Sequence, residues 1–265
     1  MVAPYAFQDC TNLTSVTFTD GNLKTIGTFA FSGCTNIASI ATTSGNTTTA
    51  GRLPNSIEQI HKNAFNGVKY MTNSSYLDNG IFFMNTLNGS KWVLQYTGTM
   101  AALTSVNLTG YYGVASQTFN GCTALSTVTW GTTLKYICSG AFRNTALTIV
   151  TLPDSVVLVN NQAFRDCTAL ESVTFGSGLT TLGTSVFLNA TRLWKVTFNN
   201  SMINNVSENQ YVLNYDNNNL YRADYVYVKS GVSVNSGTYL LNNYTKLSTS
   251  DVSGYNQYIR NDLVD

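Results

Sequence analysis

One motif, Ala-Phe-x-x-Cys, returns along the chain at Ala6-Phe7 with Cys10, Ala30-Phe31 with Cys34, and Ala163-Phe164 with Cys167. Looser copies stand at Ala64-Phe65, Thr118-Phe119 with Cys122, Ala141-Phe142 and Val186-Phe187. Where nothing intervenes, the phenylalanine recurs about every 23 residues, a period that belongs to stacked repeats and is too short for a unit with its own core.

The residues around each copy show what the unit is. After the phenylalanine comes an aliphatic residue, then alternating polar and apolar positions: Leu13-Thr-Ser-Val-Thr-Phe18, Leu125-Ser-Thr-Val-Thr-Trp130, Leu170-Glu-Ser-Val-Thr-Phe175 and Leu193-Trp-Lys-Val-Thr-Phe198. Val, Thr and aromatics alternating in this way signal a strand. Before each phenylalanine lies a second short arm, Leu23 to Ile26, Ile57 to Ile60, Leu134 to Ile137, Val156 to Val159 and Leu179 to Leu182. Two extended arms and a turn leave their apolar positions open above and below, so units must stack to bury them. With rungs spaced by one inter-strand distance, about 4.8 Å, the phenylalanines should form an internal column.

The fullest copy runs from Leu147 through Leu170 and resembles the BspA-like leucine-rich repeat of microbial surface proteins. The resemblance covers Tyr5 to Phe198. Thr145 stands near the Cys slot in the unit of Phe142, which is one residue short before Leu147, and the units of Phe65 and Phe187 lack the Cys. The resemblance implies a leucine-rich repeat solenoid, β-rich with short helical turns and parallel stacked rungs, over residues 1–200, with a capping segment at 201–265. It also implies a non-enzymatic cell-surface or secreted module that adheres to host matrix proteins, glycans or other cells. The alternative is a structural spacer that displays another domain.

Two stretches interrupt the register. Residues 41–51, rich in Thr and Gly, read as a flexible loop. Residues 76–97 hold two apolar runs joined by Asn88-Gly89, a dipeptide favoured in tight turns, and read as an inserted β-hairpin that either decorates the scaffold or projects as a contact element. After Phe198 the text becomes Asn- and Tyr-rich, with Tyr225 to Lys229 as a strand and Tyr239 to Lys246 as an element of open type. The chain begins inside a repeat, which reads as the start of a fragment whose export signal and anchor lie elsewhere.

Charged residues make up 10% of the chain and the net charge is +1, against roughly a quarter charged in ordinary globular domains. No basic face is available for nucleic acid, and no apolar run reaches the length of a membrane span. The cysteines fit inward-facing thiols, with a Cys10–Cys34 bond between adjacent rungs as the other possibility. No C-x-x-C pair accompanies the single histidine, so no metal site or cofactor is expected. His61 occupies a slot filled elsewhere by Gly27, Cys138, Asn160 and Gly183, read as a turn position of positive φ. The carboxylates are scattered, with no pair at glycosidase spacing.

If Leu13, Val16 and Phe18 point inward, the residues between them align outward from rung to rung. The candidate partner-binding face is therefore Ser15, Thr17, Ser105, Asn107, Thr127, Thr129, Thr151, Ser172, Thr174, Lys195 and Thr197. It is a ladder of hydroxyls on a flat, weakly charged sheet, suited to a protein or glycan ligand on host or neighbouring cells. The expected form is an extracellular or surface-displayed monomer.

Overall fold

The computed structural model describes residues 1–68, 74–201, 223–235, 240 and 244–264. Residues 239 and 241–243 of the Tyr239 to Lys246 element lie outside them, as does the long stretch 202–222. The described chain is a β-solenoid whose rungs stack in parallel, and its three short 3-10 segments all lie outside the Phe-containing turns.

Each rung contributes one strand to each of two walls. The first wall contains the Val-Thr arms, among them Ile149–Thr151, Ser172–Phe175 and Lys195–Phe198, paired in parallel with Val150, Val173 and Val196 in register. These three valines are buried, as the alternation requires. The second wall runs Tyr111–Val114, Tyr136–Ile137, Leu158–Val159 and Thr181–Leu182, again parallel.

The Phe-containing turns form a third ladder, built on backbone conformation. The residue two before the phenylalanine has positive φ in every unit (Tyr5, Phe29, Asn63, Gln117, Gly140, Gln162, Ser185), and so does the residue two after it (Asp9, Gly33, Gly67, Gly121, Asn144, Asp166, Asn189). Left-handed residues on either side of the phenylalanine turn alternate amides along the solenoid axis. Phe119 N–H donates to Ala141 O at 2.9 Å, with Gln117 to Ser139 O at 2.9 Å and Gly121 to Arg143 O at 3.0 Å. This placement corrects the expectation for the His61 slot, whose members do not have positive φ. Gly27 and Gly183 are small there because neighbouring rungs crowd them: an added Cβ would lie 2.5 Å from Pro4 N and 2.3 Å from Asn161 N respectively.

Inside the turn ladder the phenylalanines stack as two runs. Phe7, Phe31 and Phe65 stack at 5.2 and 5.5 Å, and Phe119, Phe142, Phe164 and Phe187 at 5.3, 5.6 and 5.6 Å. Burial of a phenylalanine is worth about 1.5–3 kcal/mol, and an offset pair adds about 0.5–1.5 kcal/mol. The Cys slot lies beside the column: the Cys34 thiol donates to Phe7 O at 2.8 Å and that of Cys167 to Phe142 O at 3.2 Å. Both thiols reach the preceding rung, whereas Thr145 donates its hydroxyl within its own unit, to Phe142 O at 2.9 Å. Cys34, Cys122, Cys138 and Cys167 are buried, Cys10 is exposed, and all five are unbonded.

The break between the two runs is caused by the second insertion. Ile81–Thr86 and Lys91–Tyr96 form the expected antiparallel hairpin, but it does not project. It is spliced into the second wall, with Ile81–Thr86 parallel to Arg52–Leu53 and Lys91–Tyr96 parallel to Tyr111–Val114. Phe82, Met84, Trp92 and Leu94 pack with the N-terminal rungs, whereas Ile81 and Val93 pack with the C-terminal ones. With apolar side chains on both faces, the hairpin fits only as an interior layer.

The first insertion also departs from its expectation. Ser39–Ser44 and Thr47–Ala50 pair antiparallel around Gly45-Asn46, with Gly45 at φ 58°, so much of the Thr/Gly stretch is a two-residue-turn hairpin rather than a flexible loop. Beyond Phe198 the first wall continues through Tyr225–Lys229, parallel to Lys195–Phe198, and then antiparallel through Tyr255–Arg260 and Tyr244–Lys246.

Candidate binding face

The outward residues of the first wall align in rows as the alternation requires. Ser105 pairs with Thr127 and Asn107 with Thr129. Farther along, Ile149, Ser172, Lys195 and Tyr225 form one row, and Thr151, Thr174, Thr197 and Tyr227 the next. Ser15, Thr17, Ser105, Asn107, Thr127, Thr129 and Thr151 are exposed, while Ser172, Thr174 and Lys195 are half-buried.

The rows do not make one continuous ladder. Ser15 pairs with Ser39, but Thr17 meets the buried Ala41, so the second row loses its hydroxyl there. The free edge of Ser39–Ser44 is then occupied by Thr47–Ala50, which closes this small sheet before it can reach Ser105–Asn107. A second gap separates Thr127–Thr129 from Ile149–Thr151. It coincides with the unit of Phe142, which is one residue short before Leu147.

Thr197 is a correction: it is 6% exposed and cannot serve as a contact residue. Its row ends in Tyr227, buried although it points away from the core. The Tyr227 hydroxyl donates to Asp251 Oδ1 at 2.8 Å and accepts from Gln257 Nε2 at 3.1 Å, and Lys195 Nζ lies 4.3 Å from the ring centroid. Burial, followed by the Asp251 hydrogen bond and charge, pushes the phenol pKa up, so this end is closed and un-ionised.

What remains open is Ser15 and Thr17 on the small N-terminal sheet and, beyond it, Ser105, Asn107, Thr127, Thr129 and Thr151, with Ser172, Thr174 and Lys195 half-sheltered. Ile149 is 62% exposed among them, and Trp194, 43% exposed, stands edge-on to Tyr225 at 6.4 Å. Ile149 lies on this face because it shares the outward parity of Thr151 and pairs with Ser172. The aromatic pair escaped notice because Trp194 precedes its strand and Tyr225 comes from the closing segment.

His61 is half-buried, and burial lowers its pKa. Among the described residues no cluster of three His, Cys, Asp or Glu has metal-site geometry. No described helix is long and apolar enough to cross a membrane.

The family model described as a BspA type leucine rich repeat region matches residues 1–80 and 96–218, with 6 copies. The chain belongs to this family. The gap in the BspA type match falls on residues 81–95, the hairpin that the structure shows spliced between repeats. No match was found among curated proteins.

Among solved structures, this BspA type chain is similar to a leucine rich cell surface protein of Faecalibacterium prausnitzii, with 17% identity, 89% of this chain and 66% of that one covered, and a TM-score of 0.46. It is also similar to a leucine rich repeat protein of T. pallidum, with 25% identity, coverage of 72% and 70%, and a TM-score of 0.34. A third is the pneumococcal vaccine antigen PcpA, with 16% identity, coverage of 83% and 64%, and a TM-score of 0.41. The chain thus spans about two-thirds of the length of each of these proteins.

Proposed function

We propose that this chain is a non-enzymatic, surface-displayed or secreted interaction module that adheres to an extracellular protein through the open part of the first wall. Membership of the BspA type repeat family supports a protein-interaction role. The observation that carries the reading is the make-up of the open face: neutral hydroxyl rows at Thr127, Thr129 and Thr151 flanked by exposed Ile149 and Trp194. Aromatic and aliphatic anchors among uncharged hydrogen-bonding groups are the composition of a protein interface core, where charges are depleted. A rigid stack also holds these groups at fixed spacing, so little ordering entropy is lost on binding.

The test is titration against a panel of immobilised extracellular-matrix proteins. Saturable binding to at least one is expected, weakened tenfold or more by Thr129→Glu, Thr174→Glu or Trp194→Ser without a change in thermal stability. Binding indifferent to all three would remove the face from consideration. Absence of binding across the panel would favour a spacer that holds a neighbouring domain away from the surface.

A further inference from the structure

Where the base of the spliced hairpin meets the repeat strand Ser105–Asn107, the fold leaves a cavity of about 400 Å³. Asp78, Asn79 and Tyr96 come to it from the inserted segment, and Ser105, Asn107 and Tyr111 from the repeat that follows. Ile81 and Val106 supply apolar surface beneath them. The volume falls within the roughly 300–1,000 Å³ of small-molecule sites, and a mostly pre-formed apolar floor with a few convergent polar groups is their usual construction.

The charge state of the lining narrows the ligand. Among the described residues that line it, Asp78 carries the one formal charge, and that charge is already satisfied: Lys91 Nζ lies 3.5 Å from Oδ2, the Tyr111 hydroxyl donates to the same oxygen at 3.2 Å, and Asn79 Nδ2 donates to Oδ1 at 3.1 Å. Lys91 is itself engaged over the Phe83 and Tyr111 rings, at 3.8 and 4.4 Å from their centroids. Burial and then Asp78 raise the Tyr111 pKa, which keeps the phenol a donor. No lysine or arginine is among the described residues that line the cavity, so none of them holds an anion, and the compensated carboxylate gives little pull on a cation.

What the lining offers is neutral polar chemistry beside an aromatic ring. Asn107 Oδ1 is taken by Thr109 N–H at 2.9 Å, which leaves its Nδ2 as the donor of this lining residue. Asn79, held at the rim by an Asn-Gly turn with φ of 47° and 79°, leaves its Oδ1 as an acceptor. Ser105 adds a hydroxyl. Tyr96 is half-buried and is held by its contact with Phe119, at 6.1 Å between centroids. A pyranose has matching parts, with adjacent hydroxyls for amide and hydroxyl partners and a C–H face for the electron-rich side of a tyrosine ring.

We propose that this cavity binds one neutral sugar residue, either free or at the end of a glycan chain. It takes Ser105 and Asn107 from the edge of the flat face, but its occupancy does not require the rest of that face, from Thr127 to Thr174, to bind anything. The test uses ligand-observed NMR and calorimetry on the full chain with glucose, galactose, mannose, fucose and N-acetylglucosamine, and with N-acetylneuraminic acid and inorganic phosphate as anionic controls. At least one neutral sugar should bind saturably at millimolar or lower concentration, with affinity reduced tenfold or more by Asn107→Ala and by Tyr96→Leu. Thr174→Glu, which blocks the flat face, should leave sugar binding intact, so failure of one site is distinguishable from failure of the other. Thermal melts identify a variant that has lost its fold, and Asn107→Ala, an exposed side-chain trim, should retain it. No neutral sugar binding, preference for the anionic probes, or sugar binding unaffected by both cavity substitutions would overturn the proposal.

Discussion

Gly113 gives the most direct test that the hairpin is an integral layer. Trp92, at the centre of the hairpin, is completely buried and lies parallel to Tyr136 at 5.7 Å and 11°, with Tyr112 edge-on at 6.4 Å. Gly113 sits beneath this indole, next to the bulge that lets the repeat strand accept the hairpin. A Cβ there would lie 2.5, 2.6 and 2.7 Å from three atoms of the six-membered ring. The backbone at Gly113 is not left-handed, so alanine is conformationally acceptable and the ring contact is the main obstacle. A rigid ring sealed in the N-terminal core cannot yield cheaply. Overpacking of this kind costs about 1–3 kcal/mol, which in a chain of this size lowers Tm by roughly 2–12 °C.

The assay is thermal and denaturant unfolding of Gly113→Ala, in the wild-type background and in Trp92→Leu. Leucine at position 92 is itself destabilising, but it removes the ring that clashes. Adding Gly113→Ala to it should then cost less than about 0.5 kcal/mol, giving a coupling of at least about 0.5 kcal/mol in the double-mutant cycle. A neutral Gly113→Ala, or one equally costly in both backgrounds, would refute the packing of Trp92 against this strand and with it the splice.

Phe164→Ala removes a fully buried ring stacked between Phe142 and Phe187, and an order of 3–5 kcal/mol is expected. Exchange of backbone amides should show the loss concentrated in adjacent rungs, since a solenoid is held by neighbour contacts. Stability should also fall at alkaline pH. Burial raises the Cys122 pKa to about 11 and that of Cys138 to about 12, against an ordinary value of 9.0, so both thiols favour the neutral folded form. Their contribution is fully present below pH 9.0 and is lost as the pH rises through about 11 to 12. Cys138→Ala should flatten that part of a Tm-against-pH curve relative to wild type.

The repeat was readable in the sequence because a solenoid asks the same question at every rung. The inward Val, Leu and Phe positions, the parallel walls and the phenylalanine stacking all follow from a local period, and each unit repeats the answer. The outward rows at Ser105, Thr127 and Thr151 could be named for the same reason. The left-handed positions were missed because tyrosine, glutamine and serine occupy them as well as asparagine and glycine, so composition hid a conformation imposed by the ladder. Gly27 and Gly183 pointed the wrong way, since their small size answers to crowding by a neighbouring rung.

Sequence alone determined that this chain stacks, which residues face inward, and that a hairpin interrupts the stack. Only the tertiary structure decided where that hairpin goes, because alternating burial does not reveal whether a second apolar face meets solvent, a partner or another rung. The same holds for Thr197, which keeps the outward parity of Thr174 yet is buried where Tyr227 arrives from the next strand. The cavity beside Tyr96 joins residues of the insertion to residues of the repeat. Local periodicity sets the direction of a side chain, whereas exposure depends on what the rest of the chain lays over it.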